Sequence, residues 1–115
     1  MNNFKNKYSF DKRKQESDEI KNKYPDRVPV IVQKFHDCEL PDVDKCKFLV
    51  PNDLSMSQFL FVIRKRIQLE PSQSLIITIN GNLVPGSTLL RQIYDDMKDN
   101  DGFLYVIYTS ENTFG

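Results

Sequence analysis

Apolar and polar positions divide the chain into short runs with two different periods. Residues 10–24, FDKRKQESDEIKNKY, are mostly polar with one thin apolar edge of Phe10, Ile20 and Tyr24, and they predict a helix that Pro25 ends. Residues 27–34, RVPVIVQK, predict a strand, in which Pro29 implies an edge, a bulge or a place where another chain lies. A shorter strand is predicted over residues 47–51, KFLVP. Its period-two alternation puts Lys47 and Leu49 on one face, Phe48 and Val50 on the other. Residues 55–58, SMSQ, have the spacing of a capping box, and Leu54 with Phe59 forms a hydrophobic staple. The helix they open carries a core stripe of Met56, Phe59, Leu60, Ile63 and Ile67. Phe61 and Val62 fall outside that stripe, and Arg64, Lys65 and Arg66 form a basic end.

Leu75 to Ile79 read as a third strand, and Asn80-Gly81 is a two-residue hairpin signal that returns the chain through Leu83 and Val84. A second amphipathic helix follows, capped near Ser87 or Thr88, with Leu89, Leu90, Ile93, Tyr94 and Met97 inward. The last strand, FLYVIYT over residues 103–109, is apolar on both alternating faces, which predicts a central strand covered on each side. This order of elements predicts an α+β domain of the ubiquitin-like β-grasp kind. Its first and last strands run parallel at the centre, and the strand at 47–51 is left at an edge. We divide the chain into a helical extension (1–25) packed on the outside, a ubiquitin-like domain (26–110) and a flexible tail (111–115).

At 115 residues and 13.5 kDa, the chain makes one domain whose core stands without disulfides or metal. The start, MNNFKNKYSF, has no apolar run behind its lysines, and no apolar stretch is long enough to cross a bilayer. Two cysteines fit a reducing cytosol better than a disulfide framework. Net charge is zero but unevenly placed. Residues 1–14 hold five bases (Lys5, Lys7, Lys12, Arg13, Lys14) against Asp11, net +4; residues 95–115 hold five acids (Asp95, Asp96, Asp99, Asp101, Glu111) against Lys98, net −4. Such asymmetry suits orientation of a partner. Lys12, Arg13 and Lys14 also sit where the helix dipole disfavours cations, a hint that they face a partner.

Catalytic and metal chemistry is poorly served. His36 and Cys38 are close in FHDCEL, with Cys46 downstream, but zinc sites usually pair cysteines two to four residues apart, and catalytic Cys–His pairs are generally joined by the fold. Neither an enzyme, a metal nor a cofactor is expected. The bases at Arg64 to Arg66 lack the aromatic platforms of single-strand binders, so no nucleic-acid role is expected either.

Several stretches, FDKRKQES, KYPDRVPVIV, DKCKFLVP, FVIRKRI, NGNLVP and DGFLYVIYTSENTFG, together resemble the autophagy-related protein 8 family, the GABARAP-like ubiquitin-like modifiers. The resemblance runs in order from Phe4 to Gly115. It implies a protein conjugated through its terminal glycine, Gly115. A cysteine protease exposes the glycine and later deconjugates it, an activating enzyme adenylates it and carries it as a thioester, and a conjugating enzyme passes it to the amine of phosphatidylethanolamine. Glycine suits this end because it lacks Cβ and crowds its carbonyl least. Thr113 and Phe114 would be spacer and recognition residues. Relatives' precursors usually continue past the glycine; whether a priming cut precedes conjugation stays open here. The implied protein is cytoplasmic and monomeric when soluble, sits on the autophagosome membrane when lipidated, and recruits cargo receptors bearing a short aromatic-x-x-aliphatic motif. An unconjugated ubiquitin-like adaptor is the alternative.

The resemblance also implies the docking residues, because an edge strand accepts an extended peptide by β-augmentation. Glu16, Ile20, Pro29, Ile31, Lys47, Leu49 and Phe103 would line a pocket for the motif's aromatic residue. Phe48, Val50, Pro51, Leu54, Phe59 and Val62 would line one for its aliphatic residue. Arg27, Lys45 and Arg66 would meet acidic flanks. Read without the resemblance, Ile31, Leu49 and Phe59 are core residues, Lys47 is an edge-strand gatekeeper and Glu16 is helix surface. Two positions depart from the family: Cys46 stands where a base is common, weakening the preference for acidic flanks, and Phe48 stands where tyrosine is frequent. Phe4, Tyr8 and the neighbouring bases read either as a contact surface or as a solvated helix.

Overall fold

The structure, a computed structural model, describes residues 3–110. Two helices come first, α1 (Phe4–Lys7) and α2 (Phe10–Lys23), followed by β1 (Arg27–Lys34) and β2 (Lys47–Pro51). Then come α3 (Met56–Arg66), β3 (Ile76–Thr78), α4 (Leu90–Met97) and β4 (Leu104–Thr109). The sheet order is β2-β1-β4-β3. β1 pairs parallel with β4, from Val30↔Leu104 to Lys34↔Tyr108, and antiparallel with β2. The expected β-grasp arrangement is therefore present, with the two most apolar strands at its centre and β2 at an edge.

Pairing on both sides of β1 corrects one expectation. Pro29 lies in an inner strand, and its position explains how. Phe35 N–H donates to Tyr108 O, so odd-numbered residues of β1 turn their backbone groups toward β4. Pro29 faces β4 one step before the first parallel pair, Val30↔Leu104, where its missing N–H breaks no rung.

The core divides across the sheet. On one face, Val28, Val30, Val32, Val50, Leu104, Val106 and Tyr108 pack against Met56, Phe59 and Ile63 of α3 and Leu90 and Ile93 of α4. On the other, Ile31 and Phe103 form a small cluster with Phe4 of α1, joined by Ile20 and Tyr105. β4 is fully covered on one face only: Leu104, Val106 and Tyr108 are buried, while Tyr105 and Ile107 on the other face are partly exposed, so the cover expected on each side is complete on one. In α3 the capping box forms: Ser55 Oγ accepts from Gln58 N–H, and Gln58 Oε1 accepts from Ser55 N–H. Phe61 is left exposed, and the guanidinium of Arg64 ties down the following loop through Gln73 O and Glu70 O.

Three local expectations are corrected. The Asn80-Gly81 turn forms, with φ of 53° and 78°, but its return strand shrinks to one bridge, Ile79↔Asn82. Leu83 beyond it is 67% exposed, so no apolar burial holds a longer pairing. α4 begins at Leu90 with no side-chain cap; the Leu90 and Arg91 N–H groups donate instead to Leu54 O and Asn52 O. On α2 the expected apolar edge is wrong at two of its three positions, Ile20 alone packing against the core. Phe10 and Tyr24 are exposed, while Arg13 and Ser17 are the buried residues.

Tyr108 is fully buried and its hydroxyl donates to Pro41 O at 2.7 Å, pinning the loop between β1 and β2. Burial, together with the charges of Asp42 and Cys38, pushes this phenol up to about 12, against a smaller opposing backbone hydrogen bond at Val43. The folded chain thus keeps a proton that the unfolded chain releases near pH 10. We expect stability to fall as pH rises from about 10 to about 12. Phenolate absorbance should show a step coincident with unfolding, and Tyr108→Phe should shrink it, leaving the part that the other two raised phenols, Tyr94 and Tyr105, release on unfolding.

Candidate functional site

The free border of β2 is the starting point. Val32 N–H donates to Cys46 O at 2.7 Å, which fixes the phase of the ladder: even residues of β2 turn their backbone groups toward β1. Lys47 and Leu49 therefore turn N–H and C=O outward, and Pro51, the next outward position, has no N–H to offer. The strand presents two donor–acceptor sets to an incoming extended chain.

Side chains from the same strand diverge. Lys47 and Leu49 lie on the α2 side, opposite Ile31 and Pro29 in register. Lys47 Nζ pairs with Glu16 Oε2 and sits 5.8 Å from the Phe4 ring centroid. Ile31 and Phe103 have no exposed surface, and Phe4 covers them, its ring 5.1 Å from that of Phe103 in an edge-on arrangement. The seven residues expected around an aromatic pocket, Glu16, Ile20, Pro29, Ile31, Lys47, Leu49 and Phe103, thus share one face, with Ile31 and Phe103 as a buried floor. Phe4 is an eighth member that sequence reasoning missed. The open depressions lie beside this set: one of about 290 Å³ is lined by Tyr8, Lys12, Arg13, Gln15, Glu16, Glu19 and Lys47. Another, of about 360 Å³, is bounded in part by Lys7, Tyr8, Lys45 and Lys47.

Phe48 and Val50 point the other way, toward α3. The Phe48 ring meets Phe59 edge-on at 6.1 Å. Val50 and Phe59 are buried, Phe48 and Leu54 partly so, and Pro51 and Val62 are exposed. The six residues expected around an aliphatic pocket therefore grade from core to surface across the β2–α3 junction. Arg27 is exposed at one end of the strand, opposite Pro51, and Lys45 at the other, two residues before β2. Arg66 is held by Asp44 at 3.1 Å and lies over the Phe48 ring at 5.8 Å.

A polar cluster under α2 supports the first face. Arg13 Nη1 lies 2.5 Å from Asp101 Oδ2, a buried ion pair between the basic start and the acidic end of the chain. Burial works against the Arg13 charge, but hydrogen bonds to Tyr105 and Asp101 outweigh it and raise its pKa. Tyr105 O–H donates to Asp101 at 2.5 Å; burial and then this bond hold the phenol far above its ordinary range. Lys5 reaches Asp99 at 2.6 Å. Burial would raise Asp99, yet the Lys5 hydrogen bond, the Asp101 N–H and the charges of Lys5 and Arg13 leave it lowered. Lys5 and Arg13 thus find partners within the chain, and of Lys12, Arg13 and Lys14, the three bases expected to face a partner, Arg13 is corrected to an internal role. Nothing in the helical periodicity identifies Asp101; the charge order of α2 was the one available signal.

The remaining expectations fall elsewhere. Gly115, Thr113 and Phe114 lie outside the described residues. His36 is exposed beside Asp37, Cys38 is buried and Cys46 exposed. Among the described residues no three His, Cys, Asp or Glu side chains gather as metal ligands, and no helix is long and apolar enough to cross a membrane.

A parallel β1–β4 pair at the centre, α3 and α4 on one face and two leading helices on the other define a ubiquitin-like domain with an N-terminal helical extension. The sequence model described as autophagy protein Atg8, ubiquitin-like, matches residues 12–115. Autophagy-related protein 8 of Candida glabrata is 51% identical over 112 residues, covering 97% of this chain and 95% of the relative. Autophagy-related protein 8e of Arabidopsis thaliana is 50% identical over 112 residues, covering 97% and 92%. The crystal structure of Trypanosoma brucei ATG8 superimposes with a TM-score of 0.91 at 38% identity, over 96% of each chain. The chain belongs to the Atg8 family of ubiquitin-like autophagy proteins.

Proposed function

We propose that this chain is a ubiquitin-like modifier rather than an enzyme. Its Gly115 carboxyl becomes an amide on phosphatidylethanolamine, and its β2 border docks short peptides. One observation carries the reading: the family match continues to residue 115, so the terminal glycine belongs to the matched sequence. In this role the activating enzyme spends ATP to form an acyl-adenylate at Gly115, and enzyme thiolates then carry the acyl group as thioesters. The lipid amine finally displaces the thiolate. Two acyl chains then suffice for stable anchoring, at about 0.8 kcal/mol per buried CH₂, where one chain is marginal. The protein is cytoplasmic before conjugation and resides on autophagosomal membranes after it. Partners are the activating and conjugating enzymes, the processing protease and cargo receptors with aromatic-x-x-aliphatic motifs. The N–H and C=O groups of Lys47 and Leu49, turned away from β1, support the docking half of the reading.

Reconstitution with both enzymes, ATP and phosphatidylethanolamine liposomes tests it. Wild-type chain should move to the membrane fraction and gain one phospholipid's mass. Gly115→Ala should conjugate more than about tenfold more slowly, a barrier increase of ~1.4 kcal/mol, because a Cβ crowds the reacting carbonyl. Wild-type chain left in solution without an adduct leaves only a docking module.

A further inference from the structure

α2 is held down in an unusual way. Its two buried residues are Arg13 and Ser17, both polar, and its exposed aromatics contribute nothing to the core. Both grip one residue. Arg13 Nη1 donates to Asp101 Oδ2, while Ser17 Oγ donates to Asp101 O at 2.5 Å. Arg13 Nε also donates to Tyr8 O at 3.1 Å, tying in the junction with α1. From the sheet side, Tyr105 O–H donates to Oδ2 and Phe103 N–H donates to Oδ1 at 2.9 Å. The Asp101 carboxylate is fully buried and has three donors, from α2, from β4 and from the floor residue Phe103. Gly102 O, next along, accepts from Tyr94 O–H at 2.6 Å, which fixes the turn from the α4 side.

These bonds connect one wall of the candidate aromatic pocket, α2, to its floor. Glu16 and Ile20 ride on α2, Glu16 next to Ser17 and Ile20 about one turn beyond it. Phe103 is the floor, and Lys47 and Leu49 form the opposite wall. Apolar packing alone lets a helix slide at small cost, whereas charge-assisted bonds to a buried carboxylate hold in one geometry. A buried ion pair is weak evidence of stability and better suited to specifying one arrangement.

We propose that Arg13, Asp101 and Tyr105, with Ser17, are positioning residues that set the height of α2 over Phe103, and so the width of the aromatic pocket. None of the four needs to touch the peptide. The proposal rests on the docking reading above, and its test separates the two.

The variants are Tyr105→Phe, which leaves the ion pair intact, and Arg13→Met with Asp101→Asn, which removes both charges together. Calorimetry at 25 °C compares a peptide bearing aromatic and aliphatic anchors with the same peptide truncated to alanine at the aromatic anchor. Melting curves establish that each variant is folded at the assay temperature. The double variant should bind the two-anchor peptide about tenfold more weakly, the scale on which a supporting shell is felt at built sites. Its affinity for the truncated peptide should not change. Arg13→Lys should recover part of the loss. Tyr105→Phe should lose about threefold, near the lower worth of one hydrogen bond, and decides the matter if the double variant does not fold. Unchanged two-anchor affinity in a folded variant overturns the proposal, as does an equal loss for both peptides. If wild-type chain binds neither peptide, the docking reading falls. Nuclear Overhauser contacts between Ile20 and its Ile31–Phe103 cluster then decide: lost in the double variant, they sustain the positioning role; retained, they overturn it.

Discussion

Lys47→Ala with Leu49→Ala is expected to weaken binding of an aromatic-x-x-aliphatic peptide about 100-fold, ~2.7 kcal/mol, while the fold survives. Both side chains lie on the α2 side of the edge strand, so their loss strips the strand's wall from the pocket and leaves the buried floor in place. The cost to folding is small. Neither residue is fully buried, so trimming Leu49 removes about 1–2 kcal/mol of apolar burial. Glu16, left without Lys47, is exposed enough for water to solvate it, and surface pairs of this kind contribute little. The outward N–H and C=O groups of residues 47 and 49 survive both substitutions. Residual affinity therefore measures the backbone ladder alone, and the difference measures the pocket. Calorimetry showing the parent's affinity in a variant that melts near the parent's temperature would remove the pocket from this face.

Much of the sheet was legible because its signals are local. Residues 103–109 are apolar on both alternating faces, residues 27–34 are rich in β-branched side chains, and both strands lie at the centre. Alternation in KFLVP divides Lys47 and Leu49, which lie opposite Ile31 and Pro29, from Phe48 and Val50, which join the core under α3. Ser55 and Gln58 mark the start of α3 because a capping box is closed within four residues.

What was not legible depends on distant partners. Arg13 and Asp101 are 88 residues apart, and helical periodicity reads Arg13 as surface because it scores the side chain without the carboxylate that neutralises it. α1 has four residues, too few for a periodic signal, yet Phe4 lies over the pocket floor. The N-terminus of α4 takes its hydrogen bonds from backbone carbonyls at Asn52 and Leu54, so Ser87 and Thr88 resembled caps without serving as them. The Asn80-Gly81 signal did specify its turn, but a turn does not supply the burial a return strand needs. The docking residues themselves were grouped through family resemblance; their own chemistry reads equally as core and edge.

Gly102→Ala is expected to be the most destabilising single change near the site, by about 3 kcal/mol, from strain and overpacking together. Two penalties coincide there. The backbone has φ +89°, a region that L side chains rarely adopt, and an added Cβ would fall 2.3 Å from Ser17 Oγ and 2.9 Å from Ser17 Cβ. Rotating the hydroxyl relieves the first contact and breaks its bond to Asp101 O; no rotation relieves the second. α2 must lift, which stretches the Arg13–Asp101 pair beneath it. For a domain of this size the melting temperature should drop by more than about 10 °C. Gly81→Ala separates the two penalties, because Gly81 has φ +78° and nothing within 4 Å of its added Cβ. That variant should lose only the conformational part, about 1 kcal/mol. Ser17→Gly combined with Gly102→Ala should lose less than the two changes summed, since each makes room for the other. If Gly102→Ala melts no lower than Gly81→Ala, α2 lifts freely from the turn, and the close seat of Ser17 on Gly102 does not hold the helix.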